Sequence, residues 1–198
     1  MIQVTPYQID ALTELINIGV GRAAGMLNQI LEAHVHLKVP SIRIFRHAEL
    51  EDTLNTMAVT PLSLVSLAFK GSFSGTALLA FPSDSASNLV NIVAGEESDM
   101  SDMDSIRVGA LTEVGNIILN GVMGSVSNVL KKHLNYSIPV YVEDTIKHLL
   151  FEDGLESDSP IILARTELTI KKFQIKGNII LLFRVNLFNT LIEILDTM

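Results

Sequence analysis

The sequence predicts an α+β fold made of two related halves, each running helix, three strands, helix, that share one six-stranded sheet with the two long helices packed on it. Three observations carry this expectation. "DALTELINIG" (Asp10 to Gly19) and "GALTEVGNII" (Gly109 to Ile118) repeat a Glu and an Asn three residues apart, at a separation of 99 positions. "GTALLAF" and "GNIILLF", both strand-like, match at an offset of 102. Between the copies, "GEESDMSDMDS" (Gly95 to Ser105) holds five acids and no apolar residue other than methionine, as a solvated seam would. A unit of half this length struggles to bury its own apolar face, so the expectation is one domain of two pseudo-symmetric halves, about 1–97 and 102–198, with a common core.

The first helix has a clear start. Thr5, Pro6 and Gln8 supply a capping hydroxyl, a proline at the first helical position and a glutamine in capping-box register. It is expected to run to about His34, with Leu12, Leu15, Ile16, Gly19, Ala23, Met26, Leu27 and Ile30 in one apolar sector at about 100° per residue. Gly19 and Ala23 would let another backbone come close. From "LKVPSIRIF" the period shifts toward two, and "TPLSLVSLAFKGSFSGTALLAF" reads as two strands joined by a Gly- and Ser-containing turn. A short helix near Asp84 to Ala94 completes the first half. The second half repeats the order with a long helix from about Asp104 to Leu134 and a strand near Ile138 to Val142. Two further strands, "IILARTELTI" and "KGNIILLFRV", and a closing helix at Phe188 to Thr197 follow.

Composition narrows the function. The 198 residues are 48% hydrophobic and 18% charged, which gives ample apolar area to offset the entropy of ordering and excludes a disordered chain. There is no cysteine, hence no disulfide, thiolate nucleophile or sulfur-ligated metal, a composition that fits a reducing compartment. The net charge of −8 repels polyphosphate backbones, so no nucleic-acid partner is expected. No apolar run approaches the roughly 20 residues that span a bilayer, and "MIQVTPYQID" lacks the character of an export signal. A cytoplasmic protein with no membrane insertion is expected.

Each long helix carries a polar strip. With Asp10 at 0°, Glu14 falls near ~40°, Asn17 near ~−20° and Gly21 near ~20°, opposite the apolar sector. Gly109, Glu113, Asn116 and Asn120 fill the same strip in the second copy, with Leu111, Val114, Ile118, Val122 and Val129 on the buried side. A solvent-facing strip need be no more than polar. Asparagine and glycine are nevertheless poor helix residues, glycine costing roughly 0.5–1 kcal/mol against alanine, and both copies keep Glu and Asn at i, i+3. Each Asn is also followed, after 22 intervening residues, by a proline, Pro40 or Pro139.

In these residues the chain resembles the CheC, CheX and FliY phosphatases of bacterial chemotaxis, whose motif is Asp or Ser, three residues, Glu, two residues, Asn, 22 residues, Pro. Asp10, Glu14, Asn17 and Pro40 fit every position; Glu113, Asn116 and Pro139 fit the second copy, while Gly109 replaces its leading Asp or Ser. The resemblance covers essentially the whole chain. Two motif copies point to the CheC branch rather than single-motif CheX, and FliY would be expected to add a C-terminal flagellar-switch domain. The resemblance implies hydrolysis of the phosphoaspartate of a CheY-type response regulator, with Asn17 and Asn116 orienting the attacking water. Glu14 and Glu113 would pair with the regulator's active-site lysine, and Asp10 would act as a support. A carboxamide suits such a role because it both accepts and donates, and stays uncharged beside phosphoryl oxygens. The implied Mg2+ belongs to the regulator, so no cofactor of the chain's own is expected. Gly109 predicts unequal contributions from the two sites.

Pro40 and Pro139 are read as structural, biasing the residue before each toward extended backbone. Other patterns compete weakly. "GVGRAA" (Gly19 to Ala24) imitates a dinucleotide loop but falls inside a helix instead of following a strand. His34 and His36 lack a third nearby metal ligand, and the acids of the seam lack EF-hand spacing. No G-x-S-x-G marks Ser/His/Asp catalysis. The rival reading is a non-catalytic adaptor that binds phosphorylated CheY or the receptor deamidase CheD. Retention of both Glu/Asn pairs favours catalysis.

Overall fold

In the computed structural model the described residues are 5–38, 41–45, 49, 61–71, 74–94, 103–129, 131–146, 148–149 and 161–184. Helix α1 (Pro6–Leu31) is followed by strands β1 (Val35–Leu37), β2 (Ser41–Phe45), β3 (Leu62–Gly71) and β4 (Ser74–Phe81), and then by helix α2 (Ser83–Ala94). Helix α3 (Met103–Val129) opens the second series, continued by β5 (Leu134–Tyr136), β6 (Val140–Asp144), β7 (Ile161–Ile170), a 3-10 turn at Lys171–Phe173 and β8 (Ile175–Arg184). The architecture is α+β, as the sequence predicts. Residues 95–102 of the expected seam, Pro40 and the expected closing helix at Phe188 to Thr197 lie outside the described residues, while Met103 to Ser105 of that seam already belong to α3.

The cap of α1 forms as its sequence dictates. The Gln8 N–H donates to Thr5 Oγ1 at 3.3 Å, and the Thr5 N–H donates to Gln8 Oε1 at 2.9 Å. The far end comes three residues before the expected His34. Glu32 turns left-handed (φ 45°, ψ 38°), and Asn28 Oδ1 accepts the Val35 N–H at 2.7 Å, which diverts the chain into β1. Helix α3 also ends earlier than Leu134, at Val129; Lys131, 99 positions after Glu32, has φ 50°. There the Lys132 N–H donates to the Ser127 carbonyl at 3.1 Å.

Among the described residues eight strands stand where six were expected. Each segment after a long helix divides into a three-residue and a five-residue strand, and Pro139, which has no N–H to give a ladder, sits at one division. Across that gap the Ser137 N–H donates to the Ala68 carbonyl at 2.9 Å, and the Ala68 N–H donates to Ser137 Oγ at 3.0 Å. In the first copy, the Lys38 N–H donates to the Glu167 carbonyl at 3.0 Å.

The strand order is β1-β7-β8-β4-β3-β5, all antiparallel, with β2 also on β7 and β6 also on β3. The short strands of each copy thus complete the hairpin of the other. β4 and β8 meet at the centre, with Leu78 opposite Ile180 and Leu79 opposite Ile179. The offset between copies grows from 99 to 102 because the β7–β8 connection carries the 3-10 turn, closed by left-handed Gln174 (φ 55°).

One face of the sheet, through Val65, Leu67, Leu79, Phe81, Ile179 and Leu181, packs beneath the helices. The other face gathers Leu64, Leu78, Ala80, Leu163, Ile180 and Leu182 with Ile146. Burial on both faces explains why β4 is apolar at almost every position instead of alternating.

The two long helices do not lie on the sheet in the same way. α3 packs on β3, β4 and β6, whereas α1 rests on β1, β2 and, chiefly, on α3 itself. Their crossing runs through small residues. A Cβ on Gly19 would stand 2.8 Å from the Val122 carbonyl oxygen, and one on Gly121 would stand 3.2 Å from the Ala23 Cβ. Gly19 and Ala23 therefore admit the partner helix. Leu12, Leu15, Ile16, Ala23 and Leu27 are buried as expected, but Met26 is 41% exposed. The Ile30 and Val129 side chains are outside the described set.

Replacing Gly19 with leucine forces the crossing apart; a loss of about 2 kcal/mol is expected in urea unfolding, within the usual range for overpacking. An unchanged midpoint would mean that the crossing is not tight. At the end of β6, Asp144 is held below the ordinary carboxylate range, first by its bond to His148 Nδ1 (2.5 Å) and then by the Thr145 N–H (2.6 Å). A carboxylate depressed by folding stabilises above its unfolded pKa of ~4 and loses that contribution as pH falls through its lower folded value. Asp144→Asn should therefore be less stable than the parent at pH 7, with the difference vanishing in acid; a gap that persists at pH 2 contradicts this assignment.

Candidate functional site

Burial fixes how α1 is rotated. Leu12, Leu15, Ile16 and Val20 are all within a few per cent of complete burial, so the residues between them that face away are set by helical geometry. Asp10, Glu14 and Gly21 are exposed, and Asn17 is half-buried. Thr13 Oγ1 donates to the Ile9 carbonyl at 2.7 Å, which keeps that hydroxyl on its own helix. Ile18, beside Asn17, remains 38% exposed.

On α3 the same logic applies through Leu111, Val114, Ile118 and Leu119. Gly115 presses this turn onto the sheet: a Cβ there would lie 2.4 Å from Val65 Cγ1. Gly109 and Glu113 are exposed; Asn116 and Asn120 are half-buried. Asn120 Nδ2 donates to Asn116 Oδ1. The first copy has no counterpart to this bond, because Gly21 stands at the corresponding position.

Each helix therefore presents a carboxylate and, one turn on, a carboxamide. Among the described residues neither Glu14 nor Glu113 is engaged in an ion pair. Both carboxylates are free to meet a cation from outside. The helices keep the two groups of each pair at a fixed separation, which a loop would not.

An anchor near the head of α3 was not legible in the sequence. Arg107 donates from Nη2 to Ser63 Oγ at 3.1 Å and from Nε to Tyr141 Oη at 3.3 Å, and its Nη2 lies 3.1 Å from Glu143 Oε1. Tyr141 in turn donates to Glu143 Oε1 at 2.7 Å. The fan ties the turn before Gly109 to β3 and β6. Its members are far apart in sequence, and only the crossed strand order brings them together.

Other candidates separate from this face. An open groove of about 520 Å³ lies further along both helices, lined by Arg22, Gly25, Met26, Gln29, Gly124 and Asn128 among others. "GVGRAA" is inside α1, so its backbone N–H groups are spent in the helix. His34 and His36 are exposed, and among the described residues no three His, Asp or Glu side chains gather as a metal site would require. No helix among those residues is long and apolar enough to cross a membrane.

A sequence profile of the chemotaxis phosphatase CheX family matches residues 63–148, a span that contains the second Glu/Asn pair. The CheY-P phosphatase CheC of Bacillus subtilis (strain 168) is 26% identical over 152 residues, covering 75% of this chain and 72% of that protein. The chain is thus similar to the CheC, CheX and FliY proteins. Its fold is that of the FliY crystal structure from Thermotoga maritima, with a TM-score of 0.76 at 20% identity over 100% of this chain and 99% of the other. Among structures of the family fold is the CheX–CheY–BeF3–Mg2+ complex from Borrelia burgdorferi, with a TM-score of 0.56 at 15% identity over 87% of this chain and 99% of the other.

Arg107→Ala would strip Tyr141 and Ser63 of a charged donor in a half-buried setting. A loss of about 1.5–3 kcal/mol is expected in chemical denaturation, the net range for hydrogen bonds to a charged group. No change would show that the fan is decorative.

Proposed function

We propose that the chain is a phosphatase for the phosphoaspartate of a CheY-type response regulator. The observation that carries this reading is the duplicated Glu/Asn pair, displayed on two rigid helices with neither carboxylate in an ion pair among the described residues. The B. subtilis relative named as a CheY-P phosphatase, and the CheX relative held in a complex with CheY, support the choice of substrate.

The chemistry follows from the side chains. An acyl phosphate is hydrolysed when a water is held in line with the departing carboxylate, and positioning supplies much of the acceleration. Asn17 and Asn116 each offer an oxygen that accepts a hydrogen bond from that water and an NH2 that donates to neighbouring oxygens. Glu14 and Glu113 face a lysine of the regulator, so the charge pair sets the depth at which the carboxamide enters. Asp10 supports the first site from one turn earlier. The Mg2+ that offsets phosphoryl charge is the regulator's own, and the chain supplies no metal ligand to the reaction.

Protein docking also agrees with the surface. The motif residues stand on exposed helix faces, accessible to another folded domain, and no deep cleft is needed for a substrate that brings its own pocket.

Following loss of phosphate from a phosphorylated CheY-type regulator decides the matter. Asn17→Ala and Asn116→Ala should each lose part of the acceleration, and the double variant should lose about 100-fold or more, the scale of removing a group that orients or stabilises the reacting atoms. Undiminished acceleration by the double variant rejects the mechanism. A parent protein that binds the phosphorylated regulator without accelerating decay would establish the adaptor role instead.

A further inference from the structure

We infer that Asn120 is a positioning residue that makes the second site the better organised of the two; the inference rests on the Glu/Asn reading above. Asn116 Oδ1 carries two lone pairs, and Asn120 Nδ2 donates to one of them from one turn along the same helix. That bond selects one of the two flipped orientations of the Asn116 carboxamide and leaves the second lone pair for water. The bond also polarises the amide, strengthening its N–H donors. Asn120 is itself half-buried on a helix pinned by Leu119 and Val122, so its own freedom is small.

Asn17 has no such restraint among the described residues. Gly21 occupies the equivalent place, and a Cβ built there meets nothing within 4 Å. The Asn17 carboxamide must therefore lose its orientational freedom when the regulator docks, a cost that Asn116 has already met in the free protein. The first site has the complete motif, with Asp10 at its head, and the second has Gly109 there but a fixed amide. The two copies thus divide their assets: a fuller docking strip in one, a preset carboxamide in the other.

The open space at Gly21 makes the idea testable by gain as well as by loss. In an Asn17→Ala background, where the second site works alone, Asn120→Ala should lower kcat about fivefold, the worth of one ordinary hydrogen bond, and leave KM for the phosphorylated regulator unchanged. Asn120→Gln, which keeps an NH2 donor, should recover part of the loss. In an Asn116→Ala background, Gly21→Asn should raise kcat of the first site severalfold, an effect that a merely structural role for the residue would not produce. An unaltered kcat in both Asn120→Ala and Gly21→Asn overturns the inference while leaving the parent mechanism standing. Full activity in Asn17→Ala/Asn116→Ala overturns both. Should Asn120→Ala lose its fold by circular dichroism, the Gly21→Asn arm decides alone.

Discussion

The structure depends on the close crossing of α1 and α3. Gly19 admits the carbonyl of Val122, and Gly121 admits the Ala23 side chain, so two helices of 26 and 27 residues meet at a distance that larger side chains forbid. From that contact the rotation of each helix is set, since the residues that flank the crossing must enter the common core. The outward direction of Glu14, Asn17, Glu113 and Asn116 is a by-product of what is buried on the other side. Packing in a protein interior is dense enough to make such a by-product accurate.

Much of this was legible in the residues. Apolar spacing identified both long helices, the Thr5–Gln8 cap located the start of the first, and the matching strand-like runs "GTALLAF" and "GNIILLF" marked the central strands. The motif strip followed from helical arithmetic alone. What escaped was tertiary. Short strands such as Val35–Leu37 contain too few residues to show a period, and their partners lie in the opposite copy. The ends of the long helices were misjudged because the left-handed turns at Glu32 and Lys131 use residues with no glycine-like signature. Met26 looked like core from its angle on the helix, yet it lies over Gly121 at the rim of the crossing and stays 41% exposed.

The candidate site was readable to a similar depth. Spacing singled out the Glu/Asn pairs, and the resemblance assigned their roles. Arg107 could not be found this way, since Ser63, Tyr141 and Glu143 reach it only after β6 has paired with β3. Asn120 was visible as part of the strip, but its bond to Asn116 depends on the rotamers of both side chains, which sequence does not specify. Differences between two copies of one motif therefore need coordinates before they acquire meaning.

Strand exchange has a consequence for how such a duplicated chain can diverge. β1 and β2 are seated on β7, and β5 and β6 on β3, so the edge of each copy is guarded by material from its twin. Damage to one half is felt as a frayed margin in the other, and neither can drift toward instability while its sibling stays intact. The exposed strips are under no such bond. Chemistry is free to specialise on each helix separately, whereas robustness is inherited jointly.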